Sequence, residues 1–311
     1  MAQAIDIGVS FLLLLSAMTT PSSIVLLETR RGRWAAWGTL LFFGALCFLL
    51  GGPGFAAWIL AVFVAAGPGL AAGFRRSEKP DAIFGAGLGT ALVSMAAVGA
   101  VAVVGGAFDP DAARAVFRAF EANKNALIDG YGLVSGAETM QVRERAGRML
   151  SLAFLLVPSI NVALAAITVW LNMLIVIRFG PEGRPYRGMT ELWRWSAPEP
   201  LVFGVLAPAI FLIFSPGLLA TAVAGNVLVI CLLPFFFQGM AVTSNALRKM
   251  RFGPGMRVVS YGLLVGMLGV MVVPAQASLG VLDIWLDFRR LRRPPSDDGD
   301  AARDEGQGDE P

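Results

Sequence analysis

The chain has 311 residues, 56% of them hydrophobic and 15% charged, with a formal net charge of +3. Soluble globular domains carry about 45–50% apolar and about 25% charged residues, so an ordinary soluble domain is excluded. The apolar excess, a mean hydropathy of +0.67, is concentrated in runs of roughly 18 to 30 residues, long enough to cross a hydrocarbon core of about 30 Å.

The chain contains no histidine, which removes the commonest general base and metal ligand. Cys47 and Cys231 lie inside apolar runs and form no CxxC spacing. They read as small buried apolar residues, not a redox pair. There is no Ser/His/Asp set, no metal-ligand cluster and no carboxylate pair at glycosidase spacing. The chain is therefore expected to be non-enzymatic, with no catalytic residue, cofactor or metal.

In chain order, membrane spans are predicted at 5–27, 34–50, 55–73, 82–106, 149–177, 200–215, 218–245 and 258–288. The N-terminal stretch lacks Lys and Arg before its apolar run and carries Asp6, so it reads as a retained span and not a secretory signal. Turn chemistry marks the edges: GGPG at 51–54, FGPEGRP at 179–185, SPG at 215–217 and FGPG at 252–255. Pro21, Pro158, Pro208, Pro234 and Pro274 are expected to kink their helices, which membranes tolerate where neighbours satisfy the freed backbone. GAGLG at 85–89 suits close helix approach; without a preceding strand or a following Lys-Ser/Thr pair it is no phosphate loop.

Basic residues follow the odd-numbered spans: Arg30, Arg31 and Arg33; Arg75, Arg76 and Lys79; Arg178, Arg184, Arg187 and Arg194; Arg248, Lys249, Arg251 and Arg257. The loops after spans two and six have none. The positive-inside rule then places the odd loops in the cytoplasm and the N-terminus outside. The loop 107–148 is extracytoplasmic, and Val116, Phe117, Phe120 and Leu127 on one face predict an amphipathic helix there.

The run 258–288 poses a parity problem. A straight crossing would put Arg289, Arg290, Arg292 and Arg293 outside. At 1.5 Å per residue the run is about 46 Å long, more than one crossing needs. A hairpin is favoured, with one leg out to about Pro274 and a second returning through 276–290. A single long tilted helix is the alternative. The expected fold is thus an all-α, polytopic transmembrane bundle of eight segments, or nine with the hairpin. It forms one integral domain over 1–293, followed by a disordered acidic cytoplasmic tail over 294–311, which holds seven acids and one arginine.

Polar residues inside spans are functional candidates by default. Asn161, Thr168 and Asn172 fall on one stripe of span five, since offsets of 7 and 11 return to within about 20°. Span seven carries Asn226, Gln238 and Asn245, and Gln276 lies beside Pro274. Such amides serve either as interhelix glue, at about 0.6 kcal/mol on average, or as the lining of a small-ligand cavity. Asp283, Asp287 and Arg290 share a sector of about 60° if the helix continues. With Arg289 at the interface, Asp287 lies about 3 Å deeper and Asp283 about 9 Å deeper. Asp287 then joins Arg289, Arg290, Arg292 and Arg293 as an interface anchor. Asp283 needs a partner, which an arginine from another cytoplasmic helix end could supply. It is either a structural paired carboxylate or a coupling site for a proton or cation.

Several stretches together resemble a family. LGVLDIWLDFRRLRR (279–293), PFFFQGMAV (234–242), TTPSSIVLLETRRG (19–32) and WRWSAPEPLVFG (193–204) resemble segments of the YybS-like predicted membrane proteins, a bacterial domain of unknown function (number 2232). That family pattern carries a further helix before the first span, a departure here. The resemblance implies no activity. The family's architecture is similar to the substrate-capture subunits of energy-coupling-factor vitamin transporters, and to the rod-shape protein MreD; both are fold-level likenesses.

The expectation is a multi-pass bacterial inner-membrane protein that binds or transports a small molecule. Its candidate cavity and coupling residues are Asn161, Thr168, Asn172, Gln238 and Asp283. The lipid bilayer is its first partner, an energising protein a second, and no nucleic acid is expected. The alternative is an MreD-like envelope scaffold that docks partner proteins.

Overall fold

The computed structural model describes residues 2–76, 79–104, 118–120, 122–123, 140–180, 195–214, 217–268 and 271–289. Among these every regular element is helical. Four helices among the described residues are long and apolar enough to cross a membrane: Arg33–Arg76, Pro80–Ala102, Val157–Phe179 and Leu219–Lys249. Two apolar helices, Leu201–Phe214 and Val272–Leu286, are shorter. The chain divides into two units, Met1–Thr190 with Val205–Ile230, and Glu191–Gly204 with Cys231–Pro311.

The first unit opens with α1 (Ala2–Arg31). Its last turn hands over to α2 (Arg33–Ile59) through Gly32 alone, whose φ of 85° is left-handed and accessible to glycine at little cost. Within α2, Gly52 departs from helical geometry at φ 76°, ψ 179°, directly before Pro53. A π-helical turn (Leu60–Val64) and α3 (Ala66–Arg76) follow. Laid straight, residues 33–76 would extend about 66 Å, twice a membrane core. Instead the chain folds back at Gly52, which sets Gly44 against the Leu60 side chain. The spans expected at 34–50 and 55–73 are these two legs.

Next come α4 (Pro80–Val104), α5 (Met140–Leu155) and α6 (Val157–Phe179). α3 and α6 pack on each other and each on α1 and α4, with Ile24, Val25, Leu70, Ile83 and Val169, and Ile59 and Phe63 of the preceding segment, all buried. In the GAGLG stretch, Gly87 faces Leu70 of α3 and Val169 of α6, whereas Gly85 and Gly89 face open space. At one end of the unit, Arg75 of α3 pairs with Glu28 of α1, and Arg30 Nη2 donates to the Phe179 carbonyl of α6 at 3.5 Å. The basic C-terminal ends of α1, α3 and α6 thus meet. Most of the amphipathic helix expected in 107–148, including Val116, Phe117 and Leu127, lies outside the described residues. Phe120 is described and stacks on Phe154 of α5 with centroids 4.7 Å apart.

α7 (Leu201–Phe214) and α8 (Leu218–Lys249) contain Pro208 and Pro234 internally. In the second unit, Gly204 lies against Cys231. α9 (Pro254–Leu268) and α10 (Val272–Leu286) follow, and α9 is tied to α8 by the Tyr261 hydroxyl donating to Met240 O at 3.0 Å. α8 and α10 touch backbone to backbone. A Cβ on Gly239 would collide with Gln276 O, and one on Gly280 with Phe235 O. Thr243 Oγ1 also donates to Gln276 Oε1 at 3.0 Å.

These contacts correct the hairpin expectation in two respects. Pro274 falls in the first turn of α10, where a missing N–H costs nothing and no kink is needed. As residue numbers rise along α10 from Gln276 to Gly280, their partners on α8 fall from Thr243 to Phe235. α10 therefore runs antiparallel to α8, whereas a leg returning to the side of Arg248 and Lys249 would run parallel to it. The glycine pair permits this close approach.

Candidate functional site

Asp283, in the last turn of α10, is buried at 5% exposure, as is Arg289. The helix stops at Leu286 and Asp287 takes a left-handed conformation, φ 41°, ψ 55°. Aspartate tolerates that region better than most residues. The turn carries Arg289 back onto Asp283: Nε and Nη2 donate to Asp283 Oδ2 at 3.0 and 2.7 Å. Arg289 Nη1 donates to Trp195 O at 2.7 Å, and Nη2 reaches Ser196 Oγ at 3.3 Å.

A third donor to Oδ2 is Gln238 Nε2, at 2.9 Å from α8. The Ala197 N–H donates to Gln238 Oε1 at 3.0 Å, which fixes the amide with its NH2 group toward the carboxylate. Gln238 of α8 and Arg289 thus converge on one carboxylate oxygen, and the 195–197 segment braces both donors. Asp283 Oδ1 is equally buried and has no hydrogen-bond partner among the described residues. One oxygen carries three donors and the other is a buried acceptor with none among the described residues, an arrangement that costs free energy.

Gln238 and Asp283 are thus brought together, and Arg289, expected as an interface anchor, is instead the buried partner of Asp283. The arginine comes from Asp283's own chain segment and not from another helix end. Asp287 is partly exposed and marks the helix end. Arg290, Arg292, Arg293 and the acidic tail lie outside the described residues. The other three candidates belong to the first unit. Asn161 accepts from Trp58 Nε1 at 2.9 Å and donates to Val157 O at 3.0 Å. Asn172 is committed to α1, accepting from Ser22 N–H at 2.7 Å and donating to Met18 O at 2.6 Å. Thr168 Oγ1 is fully buried and has no hydrogen-bond partner among the described residues.

Sequence reading did not single out Ser196 or the backbone of Trp195 and Ala197. The signal was present in WRWSAPEP, where an apolar, proline-broken stretch leads into a span. Asn226 was noted, but not its partners in α5 and α6.

The architecture defines an all-helical integral membrane protein with a buried ion pair. Residues 4–284 match the model of the family described as "Predicted membrane protein (DUF2232)", and the chain belongs to that family. No curated protein and no solved structure matches it.

Proposed function

We propose that this protein is a non-catalytic, multi-pass component of the bacterial cytoplasmic membrane that binds a small molecule within its helices. Asp283 is its charged contact, and the protein works with an energising partner as substrate-capture subunits do. The observation that carries this reading is the asymmetry of Asp283: among the described residues Oδ2 holds three donors and the buried Oδ1 holds none. A buried ion pair is a weak stability device, and an ionisable group inside a span is functional by default. The open valence is an acceptor, so the matching ligand group is a hydrogen-bond donor. The cytoplasmic face carries Arg30, Arg75 and Arg178, a placement supported by the meeting of the ends of α1, α3 and α6.

The test is thermal unfolding of the purified protein against a panel of vitamins and metabolites. A ligand at about 100 times its Kd stabilises the folded state by about 2.7 kcal/mol. The reading expects a concentration-dependent shift in the wild type that Asp283→Asn abolishes. No shift with any compound, or a shift unchanged in the variant, contradicts it.

A second reading, an MreD-like scaffold, is favoured by the commitment of Asn161, Asn172, Asn226 and Gln238 to the chain's own groups. It expects no ligand shift and no dependence on Asp283 beyond folding.

A further inference from the structure

Two sites in the first unit share one unusual geometry. At the first, Pro21 lies inside α1. A proline lacks an N–H and its ring crowds the preceding turn, which loosens the neighbouring bond from residue 22 to residue 18. The Asn172 side chain bridges the two ends of that bond. Its Oδ1 accepts from Ser22 N–H at 2.7 Å and its Nδ2 donates to Met18 O at 2.6 Å. These are the two groups that an unbroken helix would pair with each other.

At the second, α5 ends at Leu155 and α6 begins at Val157, followed by Pro158. Asn226 of α8 accepts from Ser159 N–H at 2.9 Å and donates to Leu155 O at 2.9 Å. Residues 155 and 159 are again a helical donor–acceptor pair. The likeness extends further. Both asparagines use their second N–H on the carbonyl four residues back in their own helix, Thr168 O and Ala222 O. Both serines after the prolines turn their hydroxyls to the carbonyl three residues back, Thr19 O and Leu156 O.

We infer that Asn172 and Asn226 are amide latches that hold two proline hinges closed, so that the arms 2–20 and 140–157 are the moving parts of this unit. In hydrocarbon a broken helical bond has no water to satisfy it, so each kink requires its amide. A bond routed through a neighbour's side chain opens by withdrawal of that side chain, without unwinding either helix. α6 is the strut between the hinges, since it supplies the latch for α1 and receives the latch from α8.

Epistasis separates a latch from ordinary packing. Pro21→Ala restores an N–H at residue 21 and lets Ser22 pair with Met18, so Asn172 becomes dispensable. The test is hydrogen–deuterium exchange over residues 16–26 in the full-length protein in nanodiscs. Asn172→Leu is expected to accelerate exchange there about tenfold, the scale of one lost backbone partner, and to leave residues 83–100 unchanged. With Pro21→Ala already present, the same change is expected to have little effect. Equal acceleration in both backgrounds, or none in either, overturns the inference. Should Asn172→Leu not fold, the Asn226→Leu and Pro158→Ala cycle, read over residues 153–161, gives the same two outcomes.

Discussion

Arg289 stands six residues beyond Asp283 in the chain, yet its Nη2 lies 2.7 Å from the Asp283 carboxylate. On a continuous helix an offset of six turns the side chain about 120° away, so helical geometry cannot make this pair. The left-handed turn at Asp287 makes it. That single backbone conformation carries Arg289 back onto Asp283.

Depth and pairing separate the two aspartates. Asp283→Asn leaves Arg289 buried against a neutral amide, and removing one member of a buried pair costs about 3–5 kcal/mol. Asp287→Asn changes a partly exposed residue and keeps a side chain that suits the left-handed region, so its cost is expected to be the smaller of the two. Denaturant unfolding in detergent checks this, and equal tolerance of both changes contradicts it.

The turn itself is testable. Asp287→Gly keeps the left-handed conformation accessible, whereas Asp287→Val adds about 1–2 kcal/mol of backbone strain. The valine variant is expected to be the less stable of the two by that amount. The reverse order would mean that residue 287 does not set the path of Arg289.

The α8–α10 contact leaves no room for a methyl group on Gly280, because Phe235 O and Gly239 N belong to backbone that cannot move aside. Gly280→Ala is expected to cost about 3 kcal/mol or more, the upper range for overpacking. Gly89→Ala in α4 meets nothing within 4 Å and is expected to gain about 0.5–1 kcal/mol of helix stability. Unfolding midpoints of the two variants relative to wild type decide the matter.

Orientation follows from the shared basic end of α1, α3 and α6. A reporter fusion after Lys79 is expected to be inactive in the periplasm, and one after Pro53 active. The opposite pattern would reverse the topology.

Much of the fold was legible because it depends on local chemistry. The apolar runs became helices, GGPG became the fold-back at Gly52, and Arg30 and Arg75 lie where the ends of α1, α3 and α6 meet. The site was legible only in part. Asp283 stood out as a carboxylate in an apolar run, but a wheel continued past Leu286 pointed to Arg290 and away from Arg289. Pro274 drew the expected break to itself, although the first turn of a helix accommodates proline. Asn172 and Asn226 could be seen as polar, but their partners at Met18 and Leu155 exist only through tertiary contact. A Pro-Ser pair inside a membrane helix was the signal that such a partner is needed.

The most direct test of the account is a double-mutant cycle on Asp283→Asn and Arg289→Gln, measured as unfolding free energy in one detergent, with Arg290→Gln as a parallel arm. The account predicts that the Asp283 and Arg289 changes together cost little more than either alone, because each disables the same pair. It also predicts additivity between the Asp283 and Arg290 changes. Additive costs for Asp283 and Arg289, or coupling of Asp283 to Arg290 instead, would contradict it.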